Sequence, residues 1–334
     1  MTSEPVIALD AMGGDHAPQE IVKGAVLAAR ELGVQVALVG PPALVEAELA
    51  KHPPRPEGIR LVAASEVIGM DEHPAQAARH KKDSSIVVGL KLLKQGEAAA
   101  FVSAGNTGAV LAGSIMYLGR LRGIERPSLV ALLPLSGRLS LLLDVGANAD
   151  CKPEYLVQFA EMGSVYLERV WKVEKPRVAL LSIGEEESKG NQLVQETYAR
   201  LKKASHLNFI GNVEGKDIAS GVADVIVTDG FTGNVVVKTM EGIAGFIRSQ
   251  LEGSIRSKWY YWLPGLALRG AFRSVQKRTD YREYGAGPLL GVNGLVFVGH
   301  GRSDALAIKS SLRVAREAAL SGMLEALRPA AGGT

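Results

Sequence analysis

Short apolar runs, each about as long as a strand, recur along the chain between longer stretches with helical spacing. The first is Val6–Asp10, four apolar residues ending on a carboxylate. It is followed by Ala11-Met12-Gly13-Gly14-Asp15-His16 and a helix expected to open at Pro18. Val34–Gly40, Ile59–Ala63, Ala98–Ser103, Val178–Ile183, Leu207–Gly211 and Val222–Thr228 have the same character. Most are separated by helical patterns of roughly 10–20 residues. Continuous rather than alternating apolar runs mark strands buried on both faces. Their alternation with helices predicts an α/β protein with a mostly parallel sheet in three αβα layers. Ser128–Leu135 and Leu139–Asp144 are separated only by Ser136-Gly137-Arg138, too few residues for a crossover helix. They predict an antiparallel hairpin, which makes the sheet mixed.

The pattern changes after residue 239. Met240, Ile243, Ile247, Leu251 and Ile255 follow helical spacing, as do Leu268, Phe272 and Val275. Between them lies Trp259-Tyr260-Tyr261-Trp262-Leu263-Pro264-Gly265-Leu266, flanked by Arg256, Lys258, Arg269 and Arg273. This predicts an amphipathic helical hairpin over 240–282, protruding from a single domain of 1–330, with 331–334 a frayed tail. Three readings stay open for the hairpin. One is dimerisation. Another is docking of an acidic protein partner on its basic surface. The third is a reversible membrane foot, with Trp259, Tyr260, Tyr261, Trp262, Leu263 and Leu266 at headgroup level, where nearby basic residues gain about 1 kcal/mol each on an anionic leaflet.

Composition narrows the class. The 334 residues are 47% hydrophobic and 22% charged, which suits a large α/β domain and excludes a disordered or disulfide-built chain. The 38 glycines favour turns that approach a ligand through bare backbone. The one cysteine, Cys151, excludes an internal disulfide and a cysteine-built metal site, and the 6 histidines have no HExxH or HxH spacing, so no structural zinc is expected. A net charge of +3 is too small for a nucleic-acid partner, although 248–282 alone holds eight Lys/Arg against two Asp/Glu. No apolar run reaches the ~18 residues of a membrane span and the start lacks a signal-peptide pattern, so a cytoplasmic protein is expected.

In open α/β sheets, ligands bind beyond the carboxyl ends of the strands. Five polar loops follow predicted strands: Asp10–His16, Ser103–Gly108, Asp144–Asn148, Ile183–Asn191 and Thr228–Asn234. All are expected to converge on one edge of the sheet. Ser103–Gly108 opens a helix over Ala109–Leu118, where free N–H groups with the Ser103 and Thr107 hydroxyls would hold an anion. A plain glycine-containing cap has the same spelling. A second such loop, Gly230–Asn234, favours phosphate. There is no GxGxxG after a strand, and Gly211–Asp217 is one residue short of a P-loop, with Asp217 where a magnesium-holding hydroxyl belongs. Lys189 follows Glu185–Glu187 and precedes Gly190-Asn191, a position that would aim an ammonium into the crevice. Asp10, Asp15, His16, Asp144 and Asp229 would orient it or share its proton. Cys151 lies at the start of a helix over Pro153–Trp171 with no paired histidine in view, so it is not expected to be a nucleophile.

The strings ALDAMGGDHAP (8–18), VSAGNTGAVLA (102–112), LLDVGANADCKPE (142–154), SIGEEESKGN (182–191), IGNVEG (210–215), VIVTDGFTGNVVVK (225–238) and GVNGLVFVGHGRSDALAIK (291–309) span the chain in order. Together they resemble the bacterial PlsX-type phosphate acyltransferases. The resemblance implies conversion of a long-chain acyl-[acyl-carrier protein] and inorganic phosphate into acyl-phosphate, for phospholipid (phosphatidic acid) synthesis. It implies a fold akin to the isopropylmalate/isocitrate dehydrogenases and phosphotransacetylases, a homodimer, and no metal or organic cofactor. It also implies handover to a membrane glycerol-3-phosphate acyltransferase at the inner face of the cell membrane.

The chemistry suits these residues. A thioester releases a thiolate whose parent thiol has a pKa near ~8.5, and phosphate is already a dianion near neutral pH, so no Ser-His-Asp triad is needed. An anion pocket and an oxyanion donor are needed. The candidate catalytic residues are Lys189, Asp10, Asp15, His16 and Asp229. The candidate phosphate and substrate positions are Gly13, Gly14, Ser103, Asn106, Thr107, Gly108, Asn148, Asn191, Asn212, Gly233 and Asn234. A coenzyme A-dependent phosphotransacetylase, a decarboxylating dehydrogenase and a non-catalytic acyl-thioester sensor remain as alternatives.

Overall fold

A computed structural model describes residues 4–135, 138–257, 270 and 281–330. Its strands are β1 (Val6–Asp10), β2 (Gln35–Gly40), β3 (Ile59–Ala63), β4 (Ala100–Ser103), β5 (Ser128–Leu135), β6 (Arg138–Leu143), β7 (Arg177–Leu181), β8 (Asn208–Val213), β9 (Val225–Val227), β10 (Gly287–Leu290) and β11 (Val296–Val298). Its helices are α1 (Gln19–Leu32), α2 (Pro42–Leu49), α3 (Pro74–His80), α4 (Ser85–Gln95), α5 (Thr107–Tyr117), α6 (Pro153–Val170), α7 (Gln192–Lys203), α8 (Gly230–Ser257), α9 (Ala305–Leu320) and α10 (Met323–Ala330). The predicted strands all form, several a residue or two shorter than their apolar runs.

The strands make one sheet in the order β3-β2-β1-β4-β11-β10-β5-β6-β9-β7-β8. The reason for the apolar runs is visible in β1. Ile7 and Leu9 enter the core shared with α1, α6 and α9, whereas Ala8 enters the core shared with α4 and α5. A strand buried on both faces has no polar side to alternate with. Each fully buried Ile or Leu contributes roughly 1.5–3 kcal/mol over an exposed one. The expected three-layer arrangement therefore holds.

Strand direction departs from expectation. β3, β2, β1, β4 and β11 are mutually parallel, and so are β6, β9, β7 and β8. Between the two sets lie three antiparallel ladders: β11 with β10, β10 with β5, and β5 with β6. An odd number of reversals turns the second set over. The loops do not converge on one edge. Asp10–His16 and Ser103–Gly108 leave one edge, and Asp144–Asn148, Ile183–Asn191 and Thr228–Asn234 leave the other. The β5–β6 hairpin was expected, but β10 and β11, of 4 and 3 residues, carry too little pattern to predict a second.

The helix expected from 240 begins at Gly230. Val236, Val237 and Met240 pack against the core over β5 and β6. Beyond them Ile243, Phe246, Ile247 and Leu251 are 53%, 64%, 51% and 44% exposed. The tip residues Trp259–Leu266 and the second arm with Leu268, Phe272 and Val275 lie outside the described residues. Among the described residues no helix is long and apolar enough to cross a membrane.

Candidate functional site

Asp10 organises the first edge. It ends β1 fully buried, and its carboxylate accepts hydrogen bonds from the Met12 N–H (3.1 Å) and the Ser103 hydroxyl (2.7 Å). The Ser103 Oγ in turn accepts the Gly105 N–H at 3.1 Å. Burial pushes the Asp10 carboxyl up, opposed by hydrogen bonds from the Ser85 and Ser103 hydroxyls and from the Met12 and Gly13 amides. At Gly13 a Cβ would stand 2.5 Å from Asp10 Oδ2 and 2.6 Å from the Gly105 nitrogen, so only glycine fits. Gly14, at φ +108°, leads to Asp15, whose N–H donates to the Gly301 carbonyl at 2.7 Å. The Asp15 and His16 side chains are exposed.

Asn106 caps α5 by accepting the Ala109 N–H at 3.0 Å. Its amide N–H groups donate to the Gly69, Met70 and Glu72 carbonyls at 3.1, 3.3 and 3.2 Å. The amide is thus engaged in tying the 69–74 segment to the helix start. Thr107 is exposed, and Gly108 lies so near Pro74 that a Cβ would stand 2.6 Å from its ring. Beside this edge, α8 delivers Glu241, with Lys238 Nζ at 3.2 Å, Arg302 Nη2 at 3.5 Å and His300 Nδ1 at 3.8 Å. Burial holds His300 below its ordinary value. Sequence reasoning did not assign this group. Its members come from two segments some 60 residues apart, and Lys238, His300 and Arg302, at the end of one quoted string and inside the last, were the hint of it.

Asp144 plays the same part at the second edge. It is fully buried and accepts from the Leu129, Ala147 and Asn148 N–H groups at 2.9, 3.1 and 2.7 Å and from Asn148 Nδ2 at 2.9 Å. Burial again pushes the carboxyl up. The Asn148 carbonyl accepts the Gly230 N–H at 2.8 Å, and Asp229 caps α8 through the Thr232 N–H and hydroxyl, both at 2.8 Å. Asn234 donates to the Val145 carbonyl at 3.1 Å. At Gly233 a Cβ would stand 1.9 Å from the Asp144 carbonyl oxygen. Cys151 lies against the same loop, half-buried, with its thiol pushed up to about 12, chiefly by burial and further by Asp144, Asp229 and Asp150.

Lys189 projects from the loop after β7. It is exposed, and among the described residues its ammonium has no hydrogen-bond or ion-pair partner. Its stem lies over Gly184, where a Cβ would stand 2.7 Å from Lys189 Cγ. The neighbouring Glu187 pairs instead with Lys202 at 2.8 Å. Asn191 caps α7 by accepting the Val194 N–H at 3.0 Å. Asn212, buried in β8, donates to the Glu186 carbonyl at 3.0 Å.

The structure thus brings Asp10, Gly13, Ser103 and Asn106 together, and separately Asp144, Asn148, Asp229, Gly233 and Asn234. It does not place Lys189 with Ser103–Gly108. From β4 to β7 is six strand spacings, about 29 Å at ~4.8 Å each. Within one chain a single phosphate cannot touch both, so the expectation of one shared crevice is corrected. Asp10 and Asp144 are likewise out of reach as proton partners of the Lys189 ammonium: each is fully enclosed in its own loop. Among the described residues no group of three or more His, Cys, Asp or Glu side chains is placed to hold a metal.

The model of the fatty acid synthesis protein family matches residues 6–326. A phosphate acyltransferase of Dictyoglomus turgidum is 53% identical over 312 residues, covering 93% of each chain. One of Desulfitobacterium hafniense is 51% identical over 323 residues, covering 96% of each. Among solved structures, a phosphotransacetylase from Streptococcus pyogenes superposes with a TM-score of 0.62 at 16% identity, covering 96% of this chain and 95% of that one. A putative 4-hydroxythreonine-4-phosphate dehydrogenase from Salmonella typhimurium does so with a TM-score of 0.55 at 13% identity, covering 94% and 99%. At such identities these likenesses concern the fold alone, and they bear out the dehydrogenase-like architecture expected.

Proposed function

The chain belongs to the fatty acid synthesis protein family and is an acyltransferase enzyme of the phosphate acyltransferase kind, and from that premise we propose that it makes acyl-phosphate from long-chain acyl-[acyl-carrier protein] and inorganic phosphate. In this reading a phosphate oxygen attacks the thioester carbonyl carbon. The carbonyl oxygen gathers negative charge, the C–S bond breaks, and the carrier's thiolate leaves and takes a proton from water. Lys189 stabilises the phosphate or the oxyanion.

The observation that carries the assignment is the unpartnered Lys189 ammonium in a loop holding three glutamates. A cation so placed would ordinarily pair locally, and here Glu187 is drawn to Lys202. Asp229, Asn148 and Asn234 belong to the fixed loops after β6 and β9 at the same edge. The α5 start at Thr107–Gly108 is, on this account, a second anion position, with Asp15 and His16 beside it. The test is incubation with acyl-carrier protein loaded with a long-chain acyl group and radiolabelled phosphate. Labelled acyl-phosphate is the expected product, and its absence would refute the proposal.

The product is a poorly soluble anhydride, so release at a bilayer follows. We assign the Trp259–Leu266 tip to reversible contact with the anionic inner face of the cell membrane, where a glycerol-3-phosphate acyltransferase would take the product. The homodimer and the cytoplasmic location remain part of this reading. Vesicles containing anionic lipid should float the wild type but not W259S/W262S. Equal flotation of both would remove the membrane foot.

A further inference from the structure

The loop that carries Lys189 is held by side-chain amides from two other elements. Asn212 of β8 donates through Nδ2 to the Glu186 carbonyl at 3.0 Å, and the same carbonyl accepts the Lys189 N–H at 3.0 Å. Gln195, one turn into α7, donates through Nε2 to the Ser188 carbonyl at 2.9 Å and the Gly190 carbonyl at 3.0 Å. These are the carbonyls on either side of Lys189. Three alternate carbonyls of the turn, at 186, 188 and 190, are therefore all occupied by amide N–H groups.

A lysine ammonium is a flexible donor that takes whatever acceptor lies nearest. Around Lys189 the nearest acceptors are the carbonyls of its own turn and the three glutamates before it. The amides occupy three of those carbonyls, and the Glu187–Lys202 pair draws off one carboxylate. The stem lies over Gly184, where a side chain would collide with it.

We propose that Gln195, assisted by Asn212, is a positioning residue for the reaction. By bridging the Ser188 and Gly190 carbonyls, it keeps the Lys189 turn in shape and its ammonium available to substrate. The proposal rests on the catalytic role given to Lys189 above. Gln195 is exposed, so its variants test the idea without emptying the core, whereas Asn212 is buried.

Gln195→Met keeps the length and removes the donor. Gln195→Glu also sets a carboxylate beside the ammonium. A displacement of ~1 Å at a reacting group costs as much as about 100-fold in rate. Both variants should lose about tenfold or more in kcat, Glu more than Met, with KM for the acyl donor and the melting temperature unchanged. Gln195→Lys, which restores donors to the two carbonyls, should recover part of the loss. In a Lys189→Ala background, neither Met nor Glu should change the residual rate further, because the amide acts through Lys189. Full activity of Gln195→Met, or a further loss added to that of Lys189→Ala, would overturn the proposal. A Lys189→Ala enzyme as fast as wild type would instead bring down the catalytic reading beneath it, and the positioning role with it.

Discussion

Cys151 shows how far a residue's chemistry depends on what its loop does with charge. A thiol at a helix start is often activated. This one is pushed up to about 12, because it is half-buried and faces the carboxylates of Asp144, Asp229 and Asp150. Near neutral pH it stays protonated and poorly nucleophilic. Iodoacetamide should leave Cys151 unmodified in the folded protein, and C151S should keep turnover within about twofold of wild type. Rapid alkylation with loss of activity would contradict the geometry. Asp10 and Asp144 carry the complementary lesson. Both looked, from sequence, like polar groups free to meet a substrate. Each is closed in by its own loop, through Met12 for Asp10 and through Ala147 and Asn148 for Asp144, and completed from farther along the chain, by Ser103 lying 93 residues from Asp10 and Leu129 lying 15 from Asp144. A loop carboxylate that binds ligand and one that binds its own backbone are spelled alike, and only folding separates them.

At the scale of elements, legibility followed the apolar runs. β1 and β3 match theirs to the residue: β1 because a strand covered on both faces needs an unbroken hydrophobic stretch, and β3, an edge strand with Arg60 exposed, because Ile59, Leu61 and Val62 still mark it. β10 and β11 escaped notice because three or four residues cannot carry a period. The start of α8 at Gly230 was hidden for a different reason. Its first turn is glycine-rich and reads as loop, yet the glycines are there to let the helix approach the Asp144 loop. Gly233 and Gly242 lie in the same helix and differ only in surroundings: a Cβ at Gly233 would meet the Asp144 carbonyl oxygen at 1.9 Å, and at Gly242 nothing lies within 4 Å. G242A should therefore stabilise by roughly 0.5–1 kcal/mol in urea unfolding, through helix propensity alone. G233A should destabilise by at least about 2 kcal/mol, since backbone must move. Equal effects at the two sites would show that the close approach to Asp144 is not real.

At the scale of the whole molecule, three antiparallel ladders decide the layout. Had the number been even, all five polar loops would have shared an edge. With three, the chain presents two edges, one built round Asp10 and one round Asp144, joined by α8, which starts at the second and brings Glu241 to His300 and Arg302 at the first. The loops themselves were legible in the sequence, as was the family. Their distribution was not, because it depends on the parity of strand reversals and two of the strands were too short to see. The chemistry assigned to the molecule needs no residue to become acylated: phosphate itself is the nucleophile, and the one cysteine is held protonated. The most direct test is the intact mass of the enzyme, quenched during turnover and again after incubation with acyl-carrier protein in the absence of phosphate. An unmodified enzyme is expected in both samples, with donor cleavage only where phosphate is present. An acylated enzyme that forms without phosphate, and is discharged when phosphate is added, would contradict this expectation.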